Sequence, residues 1–196
     1  MPSTGIDEAL QEFIAHALTQ EEFPLIAVTK AVAAIPWGEG RTLEEVLVTK
    51  KVGTCTGKHL LLQHCLAQLG IPTRTVTCTF KWEEQSIRLP PHIRDLLEGE
   101  TWDHGHNFLQ IKHHGRWVDT DVTWDPPLAT QGFRVLSKDW NGTTPFIGVD
   151  PVRTRWDGVD PAVMKPQLID ALSLEMRKKR ERFLDAFIAW VGTLRS

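Results

Sequence analysis

The sequence has no tyrosine and only three cysteines. It also has no apolar run near the roughly 20 residues that a membrane span requires. Cys55, Cys65 and Cys78 are an odd number in a chain too long to depend on disulfide staples. That excludes a disulfide-framework protein and suits free thiols in a reducing cytoplasm. No sign of charge dominates either: the formal net charge is −3 over 196 residues. Neither nucleic acid nor an anionic membrane is therefore expected as a partner. The opening residues Met1-Pro2-Ser3-Thr4-Gly5-Ile6-Asp7-Glu8 lack the basic region and apolar stretch of a signal peptide, so the expected location is cytoplasmic. Cys-x-x-Cys and His-Glu-x-x-His spacings are missing too. Asp103, His104, His106, His113 and His114 are accordingly read as separate side chains, with no metal and no cofactor expected.

What is present is globular in balance: 41% apolar, 24% charged and rich in tryptophan, with eight. Apolar residues at Ile6, Leu10, Phe13, Ile14 and Ala17 recur near a period of 3.6, which predicts a helix over residues 6–20. A second helix is expected from Leu25 to Ile35, stopped by Pro36-Trp37-Gly38. Thr42 and Glu45 form a capping box for a short helix reaching Val48. A further helix starts at Cys55 and ends at Gly70, with Pro72 close behind. The period then changes. Val76, Cys78 and Phe80 alternate with Thr75, Thr77 and Thr79, predicting a strand over residues 73–82 with one buried face. A short helix at His92–Leu97 precedes two strands, 106–112 and 116–123, joined by a tight turn at His113-His114-Gly115. Residues 126–161 read as a loop region wrapping a functional surface. Within 162–194, spacing from Leu168 to Leu194 outlines one long C-terminal helix. The whole reads as one α+β domain: a helical N-terminal extension (1–39), a core (about 40–125), the loop region and the terminal helix.

Chemistry centres on Cys55. Lying between Gly53-Thr54 and a helical run, it meets the free N–H groups and positive dipole end of a helix start, which favour a thiolate. A thiolate nucleophile needs a base, and the base needs an orienting carboxylate. His106 and Asp121 can supply these. A turn at His113-His114 sets His106 opposite Asp121, and a turn at His114-Gly115 leaves Asp121 one same-face step away. Either register puts the two side chains on one face with Cβ atoms about 4.5–8 Å apart, whereas an odd loop would separate them. Asp119 shares that face and is the competing carboxylate. Cys65 and Cys78, on apolar faces, read as small buried hydrophobes. The segment Gly53 to Lys58 imitates a phosphate loop but fails as one. Only three residues separate its glycines, and His59 stands where a magnesium-binding Ser or Thr belongs. The basic run Arg177–Arg182 reads as a solvated helix face. The tryptophans of the 125–160 region, Trp140 and Trp156, are expected to line a substrate cleft beside His106.

Four fragments in order resemble the transglutaminase-like superfamily. They are Gly53-Thr54-Cys55 opening a helix, Gly70-Ile71-Pro72-Thr73-Arg74 closing it, His106-Asn107-Phe108, and Trp117-Val118-Asp119-Thr120-Asp121-Val122-Thr123. The resemblance covers residues 40–125. It implies a papain-like α+β core with the Cys helix packed on an antiparallel sheet. It also implies Cys55 as nucleophile, His106 as base and Asp121 as orienting acid. Asn107-Phe108 replaces the usual Ala-Trp, Val122 replaces a proline, and Thr56-Gly57-Lys58 is an uncommon continuation after the thiol. The implied activity is amide hydrolysis or acyl transfer through a thioester on a peptide or small amide, with the Cys55 N–H and one further donor meeting the oxyanion. Trp37, Lys50 and Lys51 are the upstream candidates for that donor. The alternative is a domain of the same fold that binds a peptide or partner without catalysis. The substrate, the acyl acceptor and the oligomeric state are left open.

Overall fold

The computed structural model describes residues 4–19 and 23–195. Helix α1 spans Thr4–Leu18 and buries Leu10, Ile14 and Ala17, the face its periodicity marks; Gln20, the expected end, lies outside the described residues. Helix α2 spans Pro24–Ala34, with proline at its first turn, where a missing N–H costs nothing. It stops because Ile35 precedes Pro36 and takes an extended conformation. The Thr42–Glu45 capping box forms as expected. Glu45 N–H donates to Thr42 Oγ1, and Thr42 N–H to Glu45 Oε2, both at 3.2 Å. The turn it opens, Glu45–Thr49, is π-helical.

Helix α3 runs Cys55–Gln68, and Gly70 ends it in the left-handed conformation with φ +67°. Strand β1 (Thr73–Phe80) follows, then a short helix α4 (Pro91–Arg94). The hairpin β2 (His104–His113) and β3 (Arg116–Thr120) comes next. His113 pairs with Arg116, so the turn is His114-Gly115, with both residues at positive φ (47° and 76°). This is the twist-matched two-residue hairpin turn. Of the two registers the sequence allows, it is the one that leaves Asp121 just beyond the ladder.

A fourth strand, β4 (Arg155–Asp157), pairs with β1, giving an antiparallel sheet in the order β3-β2-β1-β4. This corrects two expectations. Residues 126–161 are not all loop, and β1 is an inner strand covered on both faces, with Thr77 and Thr79 buried. Those hydroxyls are satisfied locally: Thr77 Oγ1 donates to the Val159 carbonyl at 2.8 Å, and Thr79 Oγ1 accepts from Thr154 N–H at 3.2 Å. Three residues are too few to show a strand period, which is why β4 is invisible in the pattern.

The C-terminal helix is also two helices, α5 (Pro161–Asp170) and α6 (Leu174–Thr193). Ser173 breaks the run by capping α6, accepting from Met176 N–H at 3.2 Å. Only α6 is anchored in the core, and α5 has no buried residue. No helix among the described residues is long and apolar enough to cross a membrane.

Alternation along β2 divides the interior in two. Leu109 and Ile111 join α1, α2 and α3 in one core. Phe108, on the opposite face, joins Val76, Cys78 and Phe80 with the α6 residues Phe183, Phe187 and Val191 in a second. The architecture is α+β, with the Cys-bearing helix packed on an antiparallel sheet as expected. Phe187 is the hub of the second core, its ring centroid 4.5 Å from Trp82 and 5.3 Å from Trp37. Phe187→Ala should destabilise the protein by about 3–5 kcal/mol in urea denaturation. A loss below about 1 kcal/mol would show that α6 is not part of the cooperative core.

Candidate active site

Cys55 is the first residue of α3, and three glycines bring the chain close enough to put it there. Thr54 caps the helix, its Oγ1 accepting from Gly57 N–H at 3.2 Å and donating to the Gly40 carbonyl at 3.1 Å. A Cβ on Gly57 would stand 2.3 Å from the Gly40 carbonyl oxygen, and one on Gly53 would stand 2.6 Å from Lys58 Cγ. The glycines that imitate a phosphate loop are therefore close-packing positions. Lys58 is buried beneath them. Its ammonium donates to the carbonyls of Ala33 (3.0 Å), Ile35 (2.7 Å) and Thr123 (3.0 Å). Burial pulls its pKa down to about 7, opposed by the Asp125 and Asp121 carboxylates. Three acceptors require the three donors of the charged form. Lys58 thus ties the end of α2 and the strand-end residues to the Cys helix.

His106 and Asp121 meet. His106 Nε2 lies 2.7 Å from Asp121 Oδ2. Asp121 is fully buried and accepts two backbone donors as well: Gly148 N–H to Oδ2 at 2.8 Å and Thr123 N–H to Oδ1 at 2.9 Å. Burial opposes its ionisation, but His106 and these donors hold its pKa well below the carboxylate range. Asp119, the competing carboxylate, is engaged elsewhere. It pairs with Arg155 on β4 at 2.7 and 2.9 Å and accepts from Gln110 at 2.7 Å.

Two further side chains that sequence reasoning passed over complete the site. His59, one turn after Cys55, is buried; its Nδ1 lies 2.6 Å from the Cys55 carbonyl and its Nε2 accepts from Val122 N–H at 3.0 Å. That bond fixes the proton on Nδ1, so the 3.5 Å approach of Nε2 to Asp121 is not an ion pair. Burial lowers the His59 pKa to about 4 in agreement. Val122 therefore does what a proline at that position cannot, by donating a backbone N–H. Lys165, from α5, donates to Cys55 Sγ at 3.2 Å, Thr56 Oγ1 at 2.9 Å and Asn107 Oδ1 at 2.5 Å, while Thr56 Oγ1 donates to Asn107 Oδ1 at 3.1 Å. The unusual Thr56 and Asn107 are thus the seat of Lys165. Nothing in the sequence alone ties a lysine in a C-terminal helix to a thiol 110 residues earlier.

Burial pushes the Cys55 thiol up. The Lys165 ammonium and the hydrogen-bonded, charged His106 outweigh this and lower its pKa to about 6. Burial pulls His106 down, yet Asp121 and the Cys55 contact raise it to about 9. Between those values the site holds a thiolate beside an imidazolium. Cys65 and Cys78 go the other way: both are buried, and burial raises Cys65 to about 12 and Cys78 further.

The half-buried thiol opens into a cleft of about 440 Å³ between the Cys55 end of α3, the start of β2 and the helices α5 and α6. Its indoles are Trp37, Trp82 and Trp124. The expected Trp140 and Trp156 do not line it: Trp140 is buried in the first core, donating to the Thr144 carbonyl, and Trp156 sits on β4. Of the upstream oxyanion donors, Lys50 and Lys51 do not line the cleft, and Lys50 pairs with Glu45 at 2.8 Å. Trp37 does line it; its backbone N–H is taken by Asp125 at 2.7 Å. Among the described residues no three His, Cys, Asp or Glu side chains form a group that could hold a metal ion.

No protein-family model matches the chain, and no curated protein matches it. Among solved structures, one described as a TGase aligns with a TM-score of 0.44 at 13% identity, over 68% of this chain and 34% of that one. The chain thus spans about a third of the length of the structure it matches.

Alkylation of Cys55 by iodoacetamide should follow a titration with a midpoint near pH 6. Lys165→Met and His106→Ala should each raise that midpoint by about one unit or more. A wild-type midpoint near the free-thiol value of about 8.5 would contradict the charge arrangement.

Proposed function

We propose that this chain is a cysteine-dependent amide hydrolase or acyltransferase of transglutaminase-like type, working through a thioester on Cys55. One observation carries the reading: His106 Nε2 is held at 2.7 Å from the buried Asp121 carboxylate on the wall of the same cleft into which the Cys55 thiol opens. The order of the four sequence fragments supports the same assignment.

In the reaction the Cys55 thiolate attacks an amide carbonyl. The oxyanion meets the Cys55 backbone N–H at the start of α3 and a second donor on the cleft wall, Trp37 or Lys165. His106 then gives its proton to the leaving amine, and Asp121 keeps the imidazole oriented and charged for that step. Water or an amine, deprotonated by His106, resolves the thioester and restores the thiolate. The Lys165 contact with sulfur must open or turn toward the oxyanion during attack. That contact also supports the alternative, a peptide-binding domain whose thiol is kept capped.

Screening peptide amides by intact mass after acid quench should reveal an acyl adduct on Cys55 that hydroxylamine removes. Cys55→Ala should abolish it, and Asp121→Asn should slow its formation by on the order of 100-fold or more. With such a substrate, kcat/KM should be bell-shaped in pH. It should fall below about 6 as the thiolate is protonated and above about 9 as His106 loses the proton the leaving group needs. Turnover that survives Cys55→Ala would overturn the proposal. Lys165→Ala separates its alternative: a capped, non-catalytic thiol yields no adduct with or without the lysine.

A further inference from the structure

The cleft that holds the thiol also carries two guanidinium groups that make no close ion pair among the described residues. Arg41 comes from the segment before the π-helical turn and Arg180 from α6, and both line the cleft. Arg180 is partly buried, and burial together with the charge of Arg41 holds its pKa below the ordinary arginine value. The two groups are therefore close enough to repel. Glu181, the next residue on α6, offsets part of that repulsion at Arg180, but neither guanidinium makes a hydrogen bond or a close ion pair among the described residues. Five other arginines are ion-paired. Arg134, Arg155, Arg177 and Arg195 meet Asp150, Asp119, Asp170 and Asp125, and Arg153 meets Glu84. Two exposed carboxylates, Glu39 and Asp103, also line the cleft, and neither pairs with Arg41 or Arg180.

Two buried polar atoms of cleft-lining residues lack a partner among the described residues: the indole N–H of Trp82 and the hydroxyl of Thr123. Such atoms are rare in folded proteins, because an unsatisfied buried donor costs free energy. Trp82 packs on His104, which burial and the charges of Arg180 and Lys165 keep neutral. The cleft therefore carries two guanidinium groups whose donors are not taken up by an acceptor among the described residues. Juxtaposed like charges are stabilised by an oxyanion set between them, and guanidinium forks match carboxylate and phosphate oxygens.

We propose that Arg41 and Arg180 bind an anionic group of the acyl substrate, so that the substrate is an amide bearing a carboxylate or phosphate beside the bond Cys55 attacks. This deepens the acyl-transfer reading and rests on it for the word substrate. The site would align the amide by its anion while leaving the Lys165 end of the cleft to the reacting carbonyl.

Alkylating probes that differ by one group test it on the intact protein. N-chloroacetyl-glutamate amide and N-chloroacetyl-glutamine amide should modify Cys55 with a rate ratio of about tenfold in favour of the acid, as expected for a charge-assisted contact at a partly exposed site. N-chloroacetyl-phosphoserine amide against its serine counterpart distinguishes phosphate from carboxylate. In Arg41→Gln/Arg180→Gln the ratio should fall to near one, and Arg180→Lys should retain part of it. Should the double variant fold poorly, glutarate and inorganic phosphate, compared at constant ionic strength, should protect the wild-type thiol selectively from the anionic probe. A ratio near one or below in the wild type, or a preference that persists in the folded double variant, overturns the proposal. The outcomes separate from those of the acyl-transfer reading. A sluggish thiol with the preference intact refutes catalysis alone, and a fast thiol without preference refutes the anion site alone.

Discussion

A carboxylate with almost no access to water organises this protein. Asp121 is ionised where a bare charge would be costly, so the surrounding fold must supply its donors. Two are backbone N–H groups, of Thr123 and Gly148, and the third is His106. The hairpin register releases the chain from the ladder at Thr120, which lets Asp121 turn to His106. Gly148 comes close because it has no side chain, since a Cβ there would stand 3.0 Å from Asp121 Oδ2. With the negative charge fixed, His106 holds its proton, and that charge helps keep Cys55 a thiolate. The Lys165 ammonium supplies the other positive charge beside the sulfur.

The residues that depart from the transglutaminase-like pattern the sequence resembles fall into two sets of contacts. Val122 in place of proline supplies the N–H that sets the His59 tautomer, and His59 in turn engages the Cys55 carbonyl. Strand end and nucleophile helix are thus joined through a neutral ring. Thr56 and Asn107 together accept Lys165, which brings α5, a helix without buried residues, against the thiol. The narrowness of Gly105 matters to the same contact: a Cβ there would lie 3.1 Å from the Lys165 stem.

Much of this was legible in the sequence. The N-terminal and Cys55 helices, the capping box and the hairpin follow from spacing, and that spacing permits the contact that His106 and Asp121 make. Such signals are local, or repeat over many residues. What was missed is non-local or brief. Strand β4 has three residues and no period to read. The break between α5 and α6 depends on one capping serine. Lys165 and His59 earn their places only through contacts that the tertiary fold creates. The tryptophans mislead for a related reason: the indoles that line the cleft, Trp37, Trp82 and Trp124, all lie outside the 125–160 stretch.

The protonation of His106 is the quantity on which the account turns. A carbon-13 titration of its ring by NMR should give a midpoint near 9 in the intact protein. Cys55→Ser, which removes the thiolate, should lower that midpoint while leaving the Asp121 contact in place. A midpoint near the ordinary histidine value of about 6.5 would contradict the account: Asp121 would not be holding a charged imidazole, and Cys55 would be left with Lys165 alone to make it a thiolate.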